Sequence, residues 1–185
     1  LRVSASNFTG EGKGTHLTNA AQQQGGHSSH DESTRRSMQE LWDQLNTEKR
    51  EGWPSDPAAY VDCHIRKTIQ DVWRAYESTE KHLLEPRETH DAFILLGLDV
   101  MIDANLNVYL SEVQSGCGLP TNTRAVRDVV LKLVPDLLDV VLAVKDASYS
   151  EKPPHAAAIA LAEARGFEVL ANGGETPEPR ACRGL

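Results

Sequence analysis

The sequence predicts a mixed α/β (α+β) domain on three observations. Two stretches, 33–46 and 56–79, repeat apolar residues at helical spacing. Two short apolar runs, 92–102 and 108–114, flank a polar turn and read as an antiparallel hairpin. A longer helical pattern, 124–145, follows that hairpin.

Residues 1–24 hold a Gly-rich patch, "TGEGKG", and the run "THLTNAAQQQ". The polar stretch "GGHSSHDEST" at 25–34 reads as a flexible loop. In 33–46 the apolar residues Met38, Leu41, Trp42 and Leu45 fall at i, i+3, i+4 and i+7, one face of a helix. "GWPSDP" makes a turn, with Asp56 as N-cap and Pro57 as first residue of the next helix. Val61, Ile65, Ile69, Val72, Trp73 and Tyr76 continue it to 79, as a face expected to be core. In the helix 124–145, Pro135 must kink or divide the run, because it has no N–H to donate. An Ala-rich helix at 155–165, a short strand at 167–170 and a loop-like tail, "NGGETPEPRACRGL", complete the chain. The organisation expected is one partial domain over 1–145 and an extension over 146–185, partly disordered. No internal repeat is present.

Apolar residues make up 39% of the 185, enough for a core. No run approaches the roughly 20 apolar residues of a membrane span. The net charge of −8 argues against broad binding to a nucleic-acid backbone. It leaves room for an anionic ligand in a local basic pocket. The chain starts at Leu1 rather than Met, without a signal or transit pattern, and reads as a piece with a segment missing upstream. Three widely spaced cysteines, Cys63, Cys117 and Cys182, indicate neither a disulfide framework nor a zinc site, so a reducing compartment is the default.

The hairpin carries the chemistry. With a four-residue loop at 104–107, Asp103 pairs with Val108, Asp99 with Glu112 and Gly97 with Gln114. Leu95, Gly97, Asp99 and Met101 then share one face with Val108, Leu110, Glu112 and Gln114. Two carboxylates directly opposite each other repel. Three arrangements answer that repulsion: one carboxylate protonated, a cation between them, or both in solvent. Apolar residues on both faces argue against the last. A hard divalent ion suits two carboxylates and one amide, which makes Asp99, Glu112 and Gln114 candidate metal ligands. Gly97 would leave room for a ligand to approach the backbone.

With "HLTN" at residues 16–19 and "LLGLDVMIDANLNVYLSEVQS" at 95–115, the sequence resembles the tubulin–tyrosine ligase family, which includes tubulin tyrosine ligase-like glutamylases and glycylases. Order and approximate spacing match over most of 1–145. The resemblance implies the C-terminal portion of an ATP-grasp fold, with a hairpin-containing sheet packed by helices. It places His16, Leu17, Thr18 and Asn19 along the nucleotide, Asp99, Glu112 and Gln114 on magnesium, and Arg2 facing the phosphates and the acyl acceptor. Gln114 stands where the family has Asn, which keeps the amide and lengthens its reach by one methylene. The family's upstream lysines, and the strands that cover the nucleotide, have no counterpart in this sequence.

What the resemblance implies is an ATP- and Mg²⁺-dependent ligase that joins a free amino acid (Tyr, Glu or Gly) to a carboxylate of tubulin or a related protein through an acyl phosphate. Its setting would be the cytoplasm, cytoskeleton or cilium, with no nucleic-acid or membrane partner. In-line phosphoryl transfer needs positioning and charge neutralisation, not an enzyme nucleophile, so the lack of an activated Cys or Ser is consistent. Two alternatives stand beside it. One is a catalytically inactive relative that binds nucleotide or microtubules. The other is a helical interaction module whose hairpin acids merely face solvent.

Overall fold

In the computed structural model, residues 35–79, 93–148, 155–171 and 175–185 are described. Helix α1 spans Met38–Glu48, α2 Pro57–Thr79, strand β1 Gly97–Ile102, β2 Val108–Gln114, α3 Arg124–Ser148 and α4 His155–Ala164. A short 3₁₀ helix, Arg180–Cys182, follows. The chain divides into two compact units. One takes residues 1–48 and 118–134, the other 49–117 and 135–185.

In the first unit α1 begins at Met38, the first of its apolar residues and later than the expected 33, because Ser37 and Glu40 fix its start. The Ser37 backbone N–H donates to Glu40 Oε2 (2.6 Å), and the Glu40 N–H donates to Ser37 Oγ (3.1 Å). This reciprocal capping box satisfies two of the donors that a helix start leaves open. It also holds the Glu40 carboxyl below its ordinary 4.5, chiefly through the Ser37 N–H. Leu45 and Val130 are the buried apolar residues of this unit's described part.

In the second unit α2 starts where the sequence predicts. Asp56 Oδ1 accepts the N–H of Ala59 at 2.9 Å, and Pro57 follows the cap directly. Its core face is narrower than expected. Val61 is fully buried, but Trp73 and Tyr76 are 37% and 40% exposed. A different, mostly polar stripe of α2 is engaged instead. Cys63, Arg66, Gln70 and Arg74, at spacings of three and four, lie on one side of the helix. Arg66 pairs with Glu168. Gln70 Nε2 donates to the carbonyls of Leu170 (2.8 Å) and Pro177 (2.6 Å), and Arg74 donates to Thr176 Oγ1 (2.6 Å). Cys63 forms a disulfide with Cys182, 119 residues away in sequence. The cysteine spacing gave no sign of this bond, because only the fold brings the two residues together. The tail therefore lies along α2 as an anchored strap.

Helix α3 continues through Pro135 without a break, and the boundary between the two units falls at that proline. Helix α4 ends in a Schellman motif. Gly166 takes φ +87°, its N–H donates to Glu163 O (3.0 Å), and the Phe167 N–H donates to Ala162 O (2.9 Å). No strand forms at 167–170. Residues there instead serve the strap. Arg180 donates to Glu163 Oε1 and to the carbonyl of Phe167, while its own N–H donates to Glu168 Oε1 at 2.6 Å.

Candidate functional site

The two strands pair antiparallel, with Asp99 opposite Glu112 and Gly97 opposite Gln114. At the turn the register differs from expectation. Ile102, not Asp103, lies opposite Val108, and the strands stay out of step until a bulge between Asp99 and Val100. Ser111 is the extra residue. A bulge sets two residues against one and moves the following side chains to the other face. Leu110 and Val108 therefore pair with Val100 and Ile102, away from the acids, and Tyr109 joins Met101 on the acidic face.

Asp103 is released from the strand to build the turn. Its Oδ1 accepts the N–H groups of Asn105 (2.8 Å) and Asn107 (2.9 Å), and its Oδ2 accepts from the Asn107 side chain (2.8 Å). The Asn107 amide is the chief cause that holds the Asp103 carboxyl below its ordinary 3.8. The backbone N–H groups of Asn107 and Asn105 and the Tyr109 hydroxyl add to it. Leu106 adopts φ +66°, a conformation costly for a branched residue, and is 1% exposed. Trp53 Nε1 donates to Ala104 O at 3.1 Å, which ties the turn to the segment before α2.

At the other end Gly97 faces Cys117. A Cβ on Gly97 would come within 2.9 Å of Cys117 Cβ. The glycine therefore makes room for a neighbouring side chain, not for a ligand as its position predicts.

Asp99 and Glu112 are both exposed. The expectation that apolar residues on both faces would shelter them does not hold. Met101, Tyr109, Leu110 and Val113 are themselves 40–60% exposed. Water screens the repulsion between the two acids, so the pair does not require a compensating cation. Its chemistry still fits one. Two carboxylates and the half-buried Gln114 amide lie on one strand face and offer hard oxygen donors suited to a divalent ion. Among the described residues no three His, Cys, Asp or Glu side chains gather as a metal site. A cation here would thus need the Gln114 amide and further oxygens from water or substrate. Arg2, His16, Leu17, Thr18 and Asn19 lie outside the described residues.

A pocket of about 470 Å³ lies elsewhere, lined by residues of α4 and the strap that include Glu163, Glu168, Thr176 and Arg180. Glu168 and Arg180 are already bonded to each other and to neighbours there, and no hairpin residue lines it. Among the described residues no helix is long and apolar enough to cross a membrane.

The profile of the Tubulin-tyrosine ligase family matches residues 1–149. The chain belongs to this family. It is 30% identical over 151 residues to a protein polyglycylase TTLL10 of Macaca fascicularis, covering 80% of this chain and 23% of that protein. The Rattus norvegicus protein polyglycylase TTLL10 is 30% identical over 148 residues, covering 78% of this chain and 20% of that protein. The chain thus spans about a quarter or less of the curated relatives it matches. No solved structure matches it. The matched region of this tubulin–tyrosine ligase family member takes in the hairpin, α1, α2 and α3.

Proposed function

We propose that the chain is part of an ATP- and Mg²⁺-dependent carboxylate–amine ligase that attaches an amino acid to tubulin, in a cytoskeletal or ciliary setting. The observation that carries this reading is the Asp99–Glu112 cross-strand pair, with Gln114 on the same face, inside a region matched by the family. Glycine is the favoured amino acid, because both relatives are named polyglycylases.

Asp99, Glu112 and Gln114 would hold the magnesium, which neutralises phosphate charge when bound. The hairpin holds these side chains on one face through its register and the Ser111 bulge. Arg2 is assigned to the phosphates and acyl acceptor, and His16, Leu17, Thr18 and Asn19 to the nucleotide, by their match to the family's motif. The longer reach of Gln114 favours a second reading, an inactive relative that binds nucleotide without turnover.

The test is ATP binding by the full-length protein with and without Mg²⁺, for wild type and for Asp99→Asn/Glu112→Gln. Mg²⁺-dependent binding that the double variant loses, with its fold intact, supports the site. Glycine incorporation into tubulin tails then separates ligase from inactive relative. Wild-type protein that binds no Mg·ATP overturns the proposal.

A further inference from the structure

The strap over α2 is held by one covalent and three non-covalent grips. Arg66, Gln70 and Arg74 hold Glu168, the Leu170 and Pro177 carbonyls, and Thr176. Cys63 holds Cys182. The sulfurs differ in setting. Cys63 sits within the 23-residue helix α2 and is 2% exposed, whereas Cys182, also buried at 6%, closes a three-residue 3₁₀ turn. The turn's own backbone bonds are few, Cys182 N–H to Pro179 O, Arg183 N–H to Arg180 O and Leu185 N–H to Cys182 O, and Arg180 ties it to Glu163, Phe167 and Glu168. A three-residue turn costs less to open than a 23-residue helix, so the route to the bond would run through Cys182.

We propose that the Cys63–Cys182 bond is a reversible thiol–disulfide clamp, which locks residues 175–185 onto α2 when oxidised and releases them when reduced. The co-reactant is a small thiol–disulfide couple of the glutathione class. Its thiolate attacks Cys182 Sγ in the opened turn and forms a mixed disulfide. The Cys63–Cys182 bond breaks, and Cys63 leaves as a thiolate that takes up a proton. A second small thiolate attacks the mixed disulfide and frees Cys182, which is protonated in turn. Two small thiols become one disulfide as the protein's disulfide becomes two thiols. Oxidation runs the same steps in reverse. Gln70 and Arg74, which pair with Pro177 and Thr176 without a covalent tie, let the released segment re-dock on α2, so the bond can re-form.

The clamp is read out by thiol labelling and amide exchange, independently of ligase turnover. The experiment equilibrates the full chain over a series of reduced-to-oxidised glutathione ratios, then traps thiols by alkylation for mass spectrometry. Amide hydrogen exchange is followed in parallel at 175–185, with 124–134 as reference. The expected result is that Cys63 and Cys182 become alkylated together as the ratio rises, while Cys117, the free cysteine, labels throughout. Exchange at 175–185 should rise by roughly tenfold or more on reduction, with 124–134 unchanged. Cys63→Ala/Cys182→Ala in oxidising buffer should give the reduced pattern. Thiols that stay reduced at every ratio would overturn the clamp. So would unchanged protection of 175–185 after reduction, or exchange that rises at 124–134 as well, which marks a staple needed for folding.

Discussion

Asp99 stands directly opposite Glu112 even though the strands that carry them are one residue out of step at their turn. Ser111 absorbs the difference. In the absence of a divalent ion this pairing is a net cost, because like charges face each other across the strands. Asp99→Asn is therefore expected to raise stability by about 0.2–1 kcal/mol in chelator-treated, low-salt buffer. The gain should shrink as salt rises toward molar concentrations. Denaturant titrations at two ionic strengths measure it. A loss of stability at low salt would mean that Asp99 makes favourable contacts in place of repulsion.

Gly97→Ala is expected to cost about 1–3 kcal/mol, since two backbone-anchored Cβ atoms cannot both occupy the space between Gly97 and Cys117. Adding Cys117→Gly should recover most of that loss. A double-mutant cycle by chemical denaturation reads the coupling directly. Additive effects would remove the proposed steric reason for the glycine.

Gln70 is 3% exposed and donates to two carbonyls of the strap. Gln70→Leu keeps much of the volume but leaves both carbonyls without that donor, for an expected loss of about 1–3 kcal/mol. Gln70→Glu should be worse above neutral pH, where a carboxylate would face two carbonyl oxygens. Thermal unfolding of the three proteins under oxidising conditions provides the comparison.

The Asp103 carboxyl is held below its ordinary 3.8. A carboxyl with a depressed folded-state pKa adds stability that is fully present above the unfolded value. That stability is lost as pH falls through the lower folded value. Protection of the turn amides of Asn105 and Asn107 should thus persist at pH 5 and above and fade below about pH 4. Asp103→Asn should remove this acid dependence, as followed by amide exchange or chemical shifts between pH 2 and 6. An unchanged profile would place the acid sensitivity in another group, such as Glu40 of the α1 cap.

The helices were legible because apolar spacing and capping residues are local. Asp56 and Pro57 fix the start of α2 whatever the rest of the chain does. The Asp99–Glu112 pairing was legible too, but through a four-residue loop that does not form. The Ser111 bulge cancels that error, and nothing about a serine between leucine and glutamate announces a bulge. Three features escaped for a common reason, that they depend on contacts distant in sequence. The Cys63–Cys182 bond spans 119 residues. The Arg66–Gln70–Arg74 stripe is polar, so a search for apolar periodicity passes over it. The exposure of Asp99 and Glu112 depends on what covers the sheet, which strand alternation does not specify. Arg2 and the residues 16–19 keep their assignments by motif alone, as they lie outside the described residues.

A hairpin tip is ordinarily the place where a chain tolerates insertions and tags. Here the tip is an anchor. Leu106 is buried in a left-handed conformation, and Ala104 accepts the Trp53 indole. The base is fixed as well, by the fit of Cys117 against Gly97. A reporter spliced between Asn105 and Leu106 would pull on both anchors and shift the spacing of the acids they frame. The loop that looks the most convenient for engineering is the one to leave intact.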